Sequence, residues 1–195
     1  MERAGIPTPA TEILHVHLRD KLDISQFRFP RVVKHINKWA GKSVYLVQSV
    51  NELNQALDDI FSDSSYALIQ EPVEPLGKDA RVYMVGQQPI VLFDREARDG
   101  DFRCNFQNGA KWGIGELLES ELKVMQNIML NTGFSYAGID FARTETGPKI
   151  FEIEKGPGLY INQICSDVSV NLSQNIVEWA LRQMKHRNPG KYDHL

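Results

Sequence analysis

Residues 135–156 read SYAGIDFARTETGPKIFEIEKG, two apolar-rich runs flanking the turn signal TETGP. That pattern demands a β-hairpin, folded near Gly147, and it fixes which side chains share a face. Residues two apart on a strand point the same way, so Glu152 and Glu154 lie on one face and Ile153 on the other. Folding the hairpin brings Asp140 alongside them from the neighbouring strand. Three carboxylates on one face repel each other, and burying them unpaired is costly. A cation between them relieves that repulsion, and two or three carboxylates completed by phosphate and water oxygens suit Mg²⁺. The same spacing also fits an acidic hairpin face turned to solvent. The loop KGPGLY after the second strand carries two glycines, which permit close backbone approach to a ligand.

The rest of the chain sets this hairpin in an α+β context. PRVVKHI and SVYLVQS read as strands joined by the loop NKWAGK. SVNELNQALDDIFSD reads as a helix, opened by a capping-box-like Ser49 to Glu52 and carrying Leu53, Leu57, Ile60 and Phe61 at helical spacing. YALIQEPV is a buried strand running into a turn. ARVYMVGQQPIVLFDRE reads as a hairpin turning at GQQP. ELLESELKVMQNIMLNTG is a helix closed by Gly133, with Met125 and Met129 expected in the core. The closing segment SVNLSQNIVEWALRQMKHR is expected to bury a stripe of Ile176, Val177, Ala180, Leu181 and Met184.

At 195 residues and 42% hydrophobic content, the chain can build one core or two small lobes. With 22 basic and 25 acidic residues, net charge −3, it gives no reason to expect nucleic acid or an anionic membrane as partner. Cys104 and Cys165 are expected as free thiols in a reducing compartment. No apolar run reaches the roughly 18 residues of a membrane span, and MERAGIPTPATEIL has no signal-peptide core. A cytoplasmic location is the default expectation.

Cations and polar groups that could meet a phosphate are Lys34, Arg81, Arg95 and Arg103. DFRCNFQNG, read as a strand, aims Arg103 and Asn105 together, with Phe102, Cys104 and Phe106 on the other face. The segment IQEPVEPLGKDAR puts Glu71, Pro72, Val73 and Asp79 after a buried strand, and a linker between lobes suits a nucleotide base and ribose.

Together GKDARVYMVG, DREARDGDFRCNFQNGA and AGIDFARTETGPKIFEIEKGPGL resemble the ATP-grasp fold. They are most similar to ligases of the RimK type, which add glutamate to the C-terminus of a ribosomal protein. The likeness runs over nearly the whole chain. It implies two α+β lobes, a smaller one at 1–70 with a lid loop at about 35–43 and a larger one at 71–195, with the nucleotide between them. It implies that Lys34 contacts the phosphates of ATP, that Glu71, Pro72 and Val73 hold the adenine, and that Asp79 lies at the ribose. Arg103 and Asn105 would face phosphates and metal, while Asp140, Glu152 and Glu154 would hold two Mg²⁺ ions, Mn²⁺ being the alternative. Arg81 and Arg95 match basic positions near the reacting groups. The implied reaction is ATP-dependent amide formation through an acyl phosphate, joining a carboxylate of an amino acid, peptide or protein to an amine; a homo-oligomer is common in that family. No side-chain nucleophile is required.

Three departures stand beside the likeness. Glu154 occupies the position where the family carries asparagine. The lid holds one glycine, Gly41, beside Lys38, Trp39 and Lys42. The family's N-terminal domain is expected to be missing from this sequence. These departures leave open a second reading, an ATP-binding module of the same fold that does not ligate. An unrelated α+β interaction domain is the third.

Overall fold

The computed structural model describes residues 4–38, 41–159 and 170–187. Two antiparallel sheets organise them. The first contains β1 (Thr11–His15), β2 (Arg31–His35), β3 (Val44–Val47) and β4 (Tyr66–Gln70), in the order β1-β4-β2-β3. The second contains β5 (Lys78–Val85), β6 (Gln88–Glu96), β7 (Lys111–Ile114), β8 (Tyr136–Thr144) and β9 (Gly147–Lys155), in the order β7-β6-β5-β8-β9. The described helices are α1 (Val50–Phe61), α2 (Glu119–Thr132) and α3 (Leu172–Arg187). The fold class is α+β, as the sequence indicates.

One face of the first sheet packs on α1 and one face of the second on α2, while α3 covers part of the second sheet's other face at Tyr83 and Phe93. In the first sheet Val33 and Ile69 are register partners, and their face packs against Leu53, Leu57 and Ile60 of α1. Helix α1 starts where Ser49 Oγ accepts from the Glu52 amide at 3.3 Å and the Glu52 carboxylate accepts from the Gln48 amide at 2.8 Å. In the second sheet Ala80, Val82, Met84, Ile139, Phe141 and Ile150 meet Met125, Ile128 and Met129 of α2. Gly133 ends α2 in the left-handed conformation, where its amide bonds the Met129 carbonyl. Period-two alternation then dictates what the opposite faces carry. On the first sheet these residues are Val32, Lys34, Leu68 and Gln70; on the second they include Asp79, Arg81, Arg95 and Asp140. Ile6 lies in the core of the second sheet and the Pro7 carbonyl accepts from the Ile150 amide at 2.7 Å, so the first residues cross beside β9 before β1 begins.

Several local expectations are corrected. Asp101–Asn105 forms no strand. The Asp101 carboxylate accepts from the amides of both Phe102 and Arg103, which curls the backbone, and β7 occupies the free edge of β6 instead. The β5–β6 turn is Gly86–Gln87, not GQQP, because Gly86 adopts φ 58 and lets the chain reverse two residues early. Pro89 already belongs to β6, and the ladder shifts register beside it, where a proline cannot donate. The stripe expected on α3 is not a core face. Val177 is 56% and Met184 39% exposed, because the helix anchors through Leu172 against Tyr83, Val91 and Phe93, while Trp179 sits on the Gly86 turn. Strands β1 and β7 were not foreseen: β1 is a short edge strand, and all four residues of β7 are exposed. Cys104 is a free, buried thiol; Cys165 and Trp39 lie outside the described residues. Among those residues no helix is long and apolar enough to cross a membrane.

Candidate functional site

A cleft of about 260 Å³ lies between the charged faces of the two sheets. Lys34, Glu71, Val73, Asp79, Arg95, Arg103, Asn105, Asp140 and Glu152 all line it. Of the remaining residues singled out in the sequence, Pro72 lines a separate groove beside the β8–β9 turn. Arg81 and Glu154 flank Asp140 on the second sheet without lining the cleft.

The register of β5, β8 and β9 builds a charged row. Arg81 pairs with Asp140, Asp140 with Glu152, and Gly138 with Glu154. A bulge at Phe151 lies between the Ile150–Phe141 and Glu152–Asp140 pairs. It lets Ile150 face the core while both Phe151 and Glu152 face the cleft. The three acids therefore share a face, as the alternation indicates. Among the described residues, however, no three acids converge into a group that could hold one metal ion. Arg81 explains why. Its Nη1 donates to both Asp140 oxygens at 3.1 and 3.0 Å, and its Nη2 donates to Glu154. Arg95 binds Asp79 through Nε at 2.7 Å and Nη2 at 2.8 Å, and lies 3.2 Å from Asp140. Glu152 makes no hydrogen bond or ion pair among the described residues.

Burial tunes these groups. It pushes the Asp79 carboxyl up to about 6, against the pull of Arg95 and with the charge of Asp140 adding to the rise. Burial and then the neighbouring Asp140 raise Glu152. Burial opposes the charges of Arg81 and Arg95, but the acids beside them more than offset it and hold both firmly protonated. Lys34, opposite on β2, is lowered by burial, while Glu152, Asp140 and Asp79 pull the other way. Its Nζ lies 5.2 Å above the Phe151 ring and reaches no carboxylate among the described residues.

The far rim is built by loops. Asp101 grips the Arg103 guanidinium at 3.0 and 2.9 Å, and Arg103 Nη1 donates to the Gly41 carbonyl at 3.2 Å. The hydrogen bonds that Arg103 donates to Asp101 hold its carboxyl down to about 2. Gly41 has φ 71, and a Cβ there would stand 2.6 Å from Asn105 Oδ1. Arg103 and Asn105 thus meet the β2–β3 loop rather than projecting from a strand. On the other side of that loop His35 Nδ1 accepts from the amides of Asn37 and Lys38, with His35 Nε2 3.1 Å from Asp63.

Glu71 is exposed, 3.3 Å from Arg31, and its amide bonds the Ala10 carbonyl. Val32, Leu68 and Phe151 supply an apolar lining, joined by Phe102 and Cys104, which line the same cleft as Arg103 and Asn105 and not an opposite face, because the segment is no strand. The alternation of β2 and β4 could have supplied Val32 and Leu68; the bulge that turns Phe151 inward has no sequence signal. Burial pushes the Cys104 thiol up to about 12, so it sits as a small apolar group.

Two facing sheets with this arrangement constitute an ATP-grasp fold, and solved structures agree. A D-alanine–D-alanine ligase from Bacillus anthracis complexed with ATP superposes with a TM-score of 0.73 at 19% identity, over 95% of this chain and 64% of that one. The chain belongs to the RimK-like ATP-grasp family, whose domain matches residues 1–180. It is 29% identical over 98% of its length to a probable alpha-L-glutamate ligase of Enterobacter sp. (strain 638). It is 28% identical over 93% of its length to the ribosomal protein bS6–L-glutamate ligase of Escherichia fergusonii. It spans 63% and 61% of those two relatives.

Proposed function

We propose that this chain is the ATP-binding, bond-forming part of a carboxylate–amine ligase whose product is an amide. The observation that carries the reading is the half-buried cation Lys34 facing Glu152 across one cleft, with neither in a contact ion pair among the described residues. Opposite charges held apart across a cleft suit a ligand that brings both, a nucleotide triphosphate with its metal. The proposed division is a smaller lobe at 1–70, a larger lobe at 71–195 and a lid at about 35–43.

In this reading Lys34 draws the phosphates, and Arg103 and Asn105 close the rim over them. The Glu71–Val73 linker holds the base and Asp79 the ribose. Arg95 acts by fixing Asp79 and Asp140, since its Nε and Nη2 donors are committed to them. The donor set fits Mg²⁺ or Mn²⁺, with hard carboxylate oxygens from Asp140 and Glu152 at the cleft. Such an ion, when bound, neutralises charge on the transferring phosphate. The terminal phosphate of ATP passes to a substrate carboxylate, and an amine then displaces phosphate from the acyl phosphate to form the amide. Exclusion of water falls to the β2–β3 loop, which already touches the opposite rim at Gly41. The named activities of the relatives point to glutamate as one substrate and a peptide or protein terminus as the other. ATP use and the free Cys104 thiol fit work in the cytoplasm.

The test is calorimetric titration of ATP with and without Mg²⁺, beside Glu152→Ala, followed by ADP release with glutamate present. Magnesium-dependent binding that Glu152→Ala weakens supports the nucleotide site. Glutamate-dependent ADP release extends it to ligation. Binding without such release would favour a module that holds ATP but does not ligate, a reading encouraged by the grip of Arg81 on Asp140.

A further inference from the structure

We infer that Glu154 is the anchor of Arg81 and not a metal ligand, so that Asp140 and Glu152 alone form the protein's share of a metal site. The inference rests on the nucleotide reading above and refines it. Four acids on this face, Asp79, Asp140, Glu152 and Glu154, meet three cations, Lys34, Arg81 and Arg95. One negative charge is left over, and the pairing decides where it resides.

Arg81 is clamped. Nη1 takes Asp140, Nη2 takes Glu154, and Nε has no hydrogen-bond partner among the described residues. The guanidinium lies on the bare backbone of Gly138, where a Cβ would stand 2.6 Å from Nη2 and 3.2 Å from Nε. Gly138 is the register partner of Glu154, so the missing side chain clears the path along which Arg81 reaches that acid. Drawing Glu154 away would leave a second donor of the buried guanidinium without a partner, a cost that turning a partnerless acid does not carry. Glu152 forfeits nothing when it turns to a cation, because it has no partner among the described residues. Two arginines thus hold three of the acids, and Glu152, at the cleft, is the acid of this face left without a contact partner among the described residues. Glu154 is 45% exposed, so it can hold Arg81 from the solvent side without itself being desolvated.

Glu154 is thus a positioning residue, acting through Arg81 on the orientation of Asp140. The experiment uses the full chain and two readouts. The first is Mn²⁺–ATP binding followed by electron paramagnetic resonance for wild type, Glu154→Ala and Glu152→Ala. The expected result is that Glu154→Ala keeps the wild-type number of bound ions, weakened by roughly tenfold as for the loss of a residue that supports a ligand, while Glu152→Ala loses an ion. Loss of an ion in Glu154→Ala overturns the inference by making Glu154 a ligand. The second readout is the ¹⁵N-resolved guanidinium proton signals of Arg81 without metal. They should be slowly exchanging in wild type, collapse in Glu154→Ala and return in Glu154→Gln, which restores an acceptor. Unchanged signals in Glu154→Ala also overturn the anchor. If wild type binds no Mn²⁺–ATP, or if Glu152→Ala binds as wild type, the nucleotide reading fails by itself, and the guanidinium signals still decide the role of Glu154.

Discussion

Asp140 and Arg103 both face the cleft, yet they are held in opposite ways. Asp140 sits mid-strand in a five-stranded sheet, 9% exposed, with Arg81 and Arg95 both in ion-pair reach. Its position is set by two ladders, β5–β8 and β8–β9, and by a core beneath it. Arg103 sits in a loop, 31% exposed, aligned by Asp101 and tied to the other rim by one bond to the Gly41 carbonyl. One wall is a scaffold whose charges are ordered before any ligand arrives. The other is a latch, which can open without disturbing a sheet. A phosphoryl-transfer site needs both, a preorganised electrostatic floor and a cover that lets substrates in.

The comparison breaks most severely at Arg81. Replacing it with leucine leaves Asp140 buried beside Arg95 alone and frees Glu154. A loss of about 3–5 kcal/mol in urea unfolding is expected. A loss no larger than that of an exposed arginine would mean the row is not preorganised. Gly138→Ala tests the same floor more gently. The new Cβ would stand 2.6 Å from the Arg81 guanidinium, at the end of a flexible side chain. The expected cost is about 1–3 kcal/mol, again in unfolding free energy.

The latch responds differently. Gly41→Ala combines a left-handed φ of 71 with a Cβ 2.6 Å from Asn105. The strain is roughly 1–2 kcal/mol, but it falls on a loop that can lift away from the rim. Global stability should therefore change little, while ATP affinity drops by roughly tenfold. An equal loss in unfolding stability would show that the loop is part of the scaffold.

The two walls also differ in how readable they are from sequence. Asp140, Glu152 and Glu154 follow from alternation on a hairpin, because a ladder turns spacing into geometry. Helix α1 follows from its cap and apolar spacing, and the end of α2 from Gly133; the apolar stripe of α3 misleads, because it is not turned to the core. The Phe151 bulge does not follow, since the extra residue leaves the hydrophobic pattern nearly intact. Nor does the partner of Glu154, because Arg81 lies 73 residues away in sequence and reaches it only through strand order. At Asp101–Asn105 the alternation of Phe, Arg, Cys and Asn imitates a strand. The Asp101 carboxylate, binding two successive amides, removes the segment from any ladder. Lys34 lies near the end of β2 over an aromatic ring, and only the packing of β2 between β3 and β4 reveals that it faces the cleft.

The smallest expected effect lies at Asp101 and concerns pH. Its bond to Arg103 holds the carboxyl at about 2, below the ordinary 3.8. A depressed acid favours the fold above its unfolded value and loses that contribution as pH falls through its folded value. The window is therefore about pH 4 down to about pH 2. Wild type should lose more of its denaturation midpoint across that window than Asp101→Asn, which cannot titrate. Above about pH 5 the two should differ by a constant amount, because the carboxylate is fully ionised there. The Gly41 end of the latch gives the deciding control. If Arg103 is aligned by Asp101 for the benefit of the loop, Asp101→Asn should weaken ATP binding at neutral pH as Gly41→Ala does, though less. If ATP affinity is unchanged while the acid window flattens, the Asp101–Arg103 pair serves only its own turn, and the cover of the cleft depends on Asn105 and Gly41 instead.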